Sequence, residues 1–115
     1  HGASMIKRTD KEVLKFVEQT IRDAMLDEGM TPEMLEHDWN MVRASIDLND
    51  PNEVRVTCGK MYEAPPLNLG MLMKYAEFFG TKNINDSRFS HGGCETCDYG
   101  SSYGYTLIIK PEAKT

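Results

Sequence analysis

Val42-Arg43-Ala44-Ser45-Ile46-Asp47-Leu48, Asn49-Asp50-Pro51-Asn52 and then Val54-Arg55-Val56-Thr57-Cys58 form the stretch that decides the fold. In the first run Val42, Ala44, Ile46 and Leu48 alternate with Arg43, Ser45 and Asp47, the period of a strand with one buried face. Asn49 to Asn52 is turn chemistry, because Asx side chains bond the local backbone and Pro51 sets φ. Val54, Val56 and Cys58 then alternate with Arg55 and Thr57. The two runs predict a β-hairpin whose open face carries Arg43, Ser45, Arg55 and Thr57.

Upstream, Thr9-Asp10-Lys11-Glu12 reads as a capping box. Val13, Leu14, Val17, Ile21, Ala24 and Met25 follow at helical spacing, predicting a helix from about Thr9 to Glu28 that Gly29 ends. Thr31-Pro32-Glu33 is a second start signal for a short turn of helix over Met34 to His37. Downstream, Ala64-Pro65-Pro66 breaks the strand. Asn68 caps a helix expected to bury Leu69, Leu72, Met73, Ala76 and Phe79 on one face, with Gly80 closing it. Thr81 to Asp86 reads as loop and Ser87 to His91 as a short strand. A final strand spans about Ser102 to Ile109, with Tyr103, Tyr105, Leu107 and Ile109 on one face and Ile108 on the other, as in a strand interior to its sheet.

The order is helix, hairpin, helix, hairpin, a helix-strand-strand unit met twice without sequence similarity between the halves. The expected class is α+β: one four-stranded antiparallel sheet with both long helices packed on one face. His1-Gly2-Ala3-Ser4 reads as a tag remnant ahead of a native start at Met5, leaving residues 5–115 as a single α+β domain.

The chain has 115 residues, 40% of them hydrophobic and 27% charged, which suits one modest core. A net charge of -5 argues against direct binding of nucleic acid, whose phosphates need clustered Lys and Arg. It suits a basic protein partner, or simply solubility. No apolar run predicts a membrane span. An odd count of three cysteines with no secretory signal predicts a reducing cytoplasm. Eight methionines supply adaptable core filler or a forgiving contact surface.

The densest chemistry lies in His91-Gly92-Gly93-Cys94-Glu95-Thr96-Cys97-Asp98-Tyr99-Gly100. Zn²⁺ takes four tetrahedral N or S ligands, and two-residue spacing lets both thiolates of a tight turn face one ion. His91, Cys94 and Cys97 repeat that spacing, and Cys58 would close a four-ligand zinc site from the first hairpin. Such a site would staple the two halves together. Two alternatives stand beside it. The first is a thiol-redox pair or metal-dependent enzyme centred on Cys94 and Cys97. Glu95 and Asp98 oppose the lowered thiol pKa that redox chemistry needs. The second is three reduced thiols with Cys58 in the core.

A Cys–His nucleophile built from Cys94 or Cys97 with His91 or His37 lacks an orienting third group and an oxyanion hole. Tyr99, Tyr103 and Tyr105, interleaved with Gly100 and Gly104, have the chemistry to stack on bases, but no basic stripe accompanies them. Gly100-Ser101-Ser102 lacks the Gly-Lys-Ser/Thr ending of a phosphate loop. Glu12, Glu18, Asp23, Asp27 and Glu28 read as the solvated face of the first helix. Trp39 reads as core edge rather than exposed anchor.

The Cys94-Glu95-Thr96-Cys97-Asp98-Tyr99-Gly100-Ser101 segment resembles stretches in small proteins from bacteriophages and related mobile elements. The likeness covers this short segment alone. It implies a phage-type origin and, as a class of function, the binding and redirecting of a host protein. Zinc-ribbon proteins share the Cys-x-x-Cys knuckle, but the second knuckle is absent. The sequence therefore favours a cytoplasmic, non-enzymatic protein-binding module acting through its open sheet face or its Cys-Tyr-Gly hairpin tip. A self-associating structural protein, a homo-oligomer, is a third reading.

Overall fold

The structure, a computed structural model, describes residues 5–91 and 102–112, with His91 described through its backbone alone. The elements run α1 Asp10–Asp27, α2 Pro32–Leu35, a 3₁₀ turn Asp38–Asn40, β1 Arg43–Asp47, β2 Val54–Lys60, α3 Leu69–Phe79, β3 Asn83–His91 and β4 Ser102–Lys110. The strands form one antiparallel sheet in the order β1-β2-β4-β3. This is the expected α+β architecture, and β4 is interior as its two-sided apolar pattern predicts.

The local signals act where the sequence places them. Thr9 Oγ1 accepts the Glu12 N–H and Glu12 Oε1 accepts the Thr9 N–H, each at 3.2 Å, so two of the orphan donors at the start of α1 are satisfied. The Thr9 N–H and the Thr9 hydroxyl, both donating to Glu12 Oε1, hold the Glu12 carboxyl below the usual range. Gly29 follows the helix at φ 106°, a conformation that costs glycine little. The Asn68 side chain accepts the Met71 N–H at 2.9 Å, and Gly80 ends α3 at φ 69°. The segment before α1 is tied to the end of α3, where the Ile6 N–H donates to Phe79 O at 2.7 Å and Arg8 lies over the Phe78 ring at 4.3 Å.

One core joins the elements. Val13, Val17, Ile21, Ala24 and Met25 of α1 meet Val54, Val56 and Cys58 of β2 and Tyr105, Leu107 and Ile109 of β4. Met71, Tyr75 and Phe79 of α3 complete it. Each is worth about 1.5–3 kcal/mol when fully buried if it is as large as Val or Leu.

Three expectations about the long helices and the strands fail. Leu14 is exposed at the edge of the α1 stripe. The face of α3 expected in the core is largely its outer one: Leu69 is 74% and Met73 65% exposed, while Met71, Tyr75 and Phe79 are buried. This helix carries two apolar stripes, and the sheet takes the one with the larger rings. The third failure is β3, which begins at Asn83 instead of near Ser87. Pairing with β4 and tertiary anchors extend it: Thr81 Oγ1 donates to Lys110 O at 2.7 Å and Asn83 Nδ2 to Pro111 O at 3.1 Å.

Candidate functional site

The face of the sheet away from the helices is built by cross-strand rows. Arg43 pairs with Gly59, Gly59 with Gly104, and Gly104 with Phe89, so one row crosses all four strands. The next row is Ser45, Thr57, Thr106 and Ser87, with the Thr57 and Thr106 hydroxyls 3.2 Å apart. Two adjacent glycines leave a trough in the pleat. The Phe89 ring lies in it: a Cβ at Gly59 would stand 3.5 Å from Phe89 Cζ, and one at Gly104 only 2.7 Å. An aromatic ring covering a glycine on a neighbouring strand restores the contact area that the missing side chain forfeits.

Beside the ring opens a groove of about 440 Å³, lined among others by Met41, Arg43, Ser45, Thr57, Met61 and Phe89. Met41 is 56% and Trp39 51% exposed. Trp39 stacks on His37 with ring centroids 4.7 Å apart, so the expectation that Trp39 fills the core edge is corrected. The rim is fixed from beneath by Lys60, which is almost fully buried. Its Nζ donates to Trp39 O at 3.3 Å and Met61 O at 3.2 Å and lies 3.8 Å from Glu63 Oε1. Burial lowers the Lys60 pKa, and Glu63 works against that shift. A cation with its donors on two backbone carbonyls holds the short turn before β1 against the end of β2.

Of the four residues expected to bind zinc, Cys58 alone has a described side chain. His91 ends β3 opposite Ser102, and Cys94 and Cys97 lie outside the described residues, as do Tyr99 and Gly100. Cys58 is fully buried on the helix side of β2, and burial pushes its thiol up to about 12. It is packed as a small apolar residue between the two helices and β4. Tyr105 is buried beside it, its hydroxyl donating to Pro66 O at 2.8 Å, so this ring is a core residue and presents no face to a base. Among the described residues no group of three or more His, Cys, Asp or Glu gathers to hold a metal ion. No described helix is long and apolar enough to cross a membrane.

Tyr75 completes this buried trio, and its hydroxyl has no hydrogen-bond partner. An unsatisfied buried hydroxyl costs about 1–3 kcal/mol. Tyr75→Phe is therefore expected to raise the denaturant midpoint with an unchanged m-value, by about 1 kcal/mol. A midpoint that falls in this variant would show that the hydroxyl has a partner.

Sequence reading missed Phe89, Lys60 and the trough. Gly59 and Gly104 are visible as glycines inside strand patterns, a signal of close backbone approach. That they lie side by side under an aromatic ring depends on register. No family model, curated protein or solved structure matches the chain.

Proposed function

We propose that the chain is a small non-enzymatic protein-binding module whose partner docks on the open sheet face at the Met41–Arg43–Phe89 groove. The observation that carries this reading is the composition of that groove. An exposed Met, an Arg and an aromatic ring surround a concavity whose floor is polar hydroxyls and glycine. Met, Arg and aromatics are the residues enriched at the centre of protein interfaces. A methionine tolerates a range of apolar partner side chains, and Arg43 supplies a planar donor for a carbonyl or carboxylate beside the anchor. The net charge of -5 steers a partner of basic overall charge from a distance. The resemblance of the Cys94–Ser101 segment to phage proteins makes a host protein the class of target.

The test is capture from host-cell extract on immobilised wild-type protein and on Met41→Asp, matched for circular dichroism. A charge placed at the anchor should weaken retention of a specific partner by at least about tenfold. A set of captured proteins identical on both columns would sink this assignment of the surface.

A further inference from the structure

We propose that this chain forms a two-fold dimer by pairing β3 with β3 of a second copy, in the antiparallel register centred on Ser87. This surface is separate from the groove of the open face, and the inference does not rest on that reading. Among the described residues β3 is the terminal strand of the sheet and pairs on one side only, with β4. Exposed edges are usually blunted by shortness, proline, lysine or a bulge. β3 spans Asn83–His91 with neither proline nor lysine, and its register with β4 runs unbroken from Asn83 to His91.

The charges on this edge are self-complementary. Asp86 and Arg88 share the helix side of the strand with Ile84, since their β4 neighbours are Leu107, Tyr105 and Ile109 of the core. Both are exposed, and Arg88 lies over the edge of the core with its guanidinium 6.0 Å from the Tyr105 ring centroid. Two-fold antiparallel pairing always sets one residue opposite its own copy. With Ser87 at the centre, Asp86 faces the partner's Arg88 and Arg88 faces the partner's Asp86. Moving the centre one residue either way sets Asp86 against Asp86 or Arg88 against Arg88, and like charges directly opposite are destabilising. A lone charge here would protect the edge; the Asp-x-Arg order selects one register of self-pairing instead.

The same edge also explains the second apolar stripe of α3. Leu69, Leu72, Met73 and Ala76 with Ile84 of β3 line a groove of about 560 Å³ on the helix side of the edge. Leu72 touches the core from its margin, while Leu69 and Met73 at 74% and 65% exposed are left outside it. Extending the sheet through β3 places the partner's third helix beside it, so each copy covers the other's exposed apolar surface, as an isologous interface requires. The opposite edge is the weaker candidate. β1 spans only Arg43–Asp47, and although Arg43 and Asp47 are also complementary about Ser45, Asp47 Oδ1 is engaged by the Asn49 N–H at 2.9 Å.

Sedimentation equilibrium on the full chain tests this, with Asp86→Arg, Arg88→Asp, the double swap and Arg43→Asp compared. Circular dichroism confirms that each is folded. The expected result is a two-chain mass for the wild type, a dissociation constant raised at least about tenfold by either single reversal, and recovery in the double swap. Arg43→Asp should leave the dimer intact. A one-chain mass at millimolar concentration would overturn the proposal. So would a dimer indifferent to both reversals at 86 and 88, or one dissociated by Arg43→Asp.

Discussion

Adding one methyl group at Gly104 is expected to lower the melting temperature by about 15 °C or more. Gly104 faces Gly59 on β2 and Phe89 on β3, at the crossing of the glycine row. A Cβ there would overlap the Cys58 carbonyl oxygen and stand 2.8 Å from Gly59 Cα and 2.7 Å from Phe89 Cζ. The ring could turn aside, but the two backbone atoms belong to a paired central strand and cannot move without opening the β2–β4 ladder. A cost of about 3 kcal/mol or more follows, a large share of the stability of a domain this size. Gly59→Ala provides the contrast. Its Cβ would meet the Ser102 hydroxyl at 3.1 Å, the end of a rotatable side chain, and a loss under about 1 kcal/mol is expected. Thermal melts of both variants decide the matter: if Gly104→Ala melts within a few degrees of wild type, the close approach of β2 to β4 is not as described.

What the sequence made legible was local. The capping box at Thr9, the Asn68 cap and the glycines at 29 and 80 each need only their own neighbours, so α1 and α3 could be bounded from the chain alone. The first hairpin was equally readable, since alternation and an Asx-Pro turn are both short-range. The inner face of α3 was not. Leu69, Leu72, Met73 and Ala76 make as good a stripe as Met71, Tyr75 and Phe79, and periodicity cannot say which one meets the sheet. A tyrosine also reads poorly as core because of its hydroxyl, yet Tyr75 is fully buried. The first half of β3, Asn83-Ile84-Asn85-Asp86, has little strand propensity and is set by its nine-residue partner β4.

The candidate site was harder to read for the same reason. Cysteine and histidine spacing attracts notice because their chemistry is particular, whereas the groove is made of common residues brought together by register. Arg43, Gly59, Gly104 and Phe89 are spread over four strands, and their adjacency exists only once β2 has paired with β4. The sheet thereby presents two unlike surfaces. Its open face offers a fixed concavity, and its β3 edge offers backbone donors and acceptors flanked by an apolar helix. The proposed partner on the face and the proposed second copy on the edge would use different atoms.

Raising the pH from about 9 to about 11 is expected to destabilise the domain progressively and then unfold it cooperatively, because three buried acids must stay protonated for the core to hold. Cys58, Tyr75 and Tyr105 are fully buried and close together. Burial raises the Cys58 thiol to about 12 and pushes both tyrosine hydroxyls upward, with each tyrosine raised further by the charge that Cys58 would carry. Arg88 beside Tyr105 opposes the shift without reversing it. In the unfolded chain a thiol ionises near pH 8.5 and a phenol near pH 10. Below those values folded and unfolded chains hold the same protons at these groups, and stability from this source is complete. Above them the unfolded chain releases protons that the folded chain retains, so stability falls as pH rises toward the folded-state values. By about pH 11 the loss amounts to roughly 5 kcal/mol, comparable to the whole stability of a small domain. Lys60 acts in the opposite sense: its lowered pKa makes the folded chain shed this proton before the unfolded chain does, so stability rises with pH between the two values, but it is one group against three. Urea titrations between about pH 7 and pH 11 should show a midpoint that is level at first and then falls steeply, with Tyr75 and Tyr105 ionising only together with loss of helix. Tyr75→Phe removes one of the three protons and should make the fall shallower. A midpoint that stays level to pH 11, or ionisation of Tyr75 or Tyr105 themselves before the helices are lost, would mean that water reaches this trio and that the centre of the core is not closed.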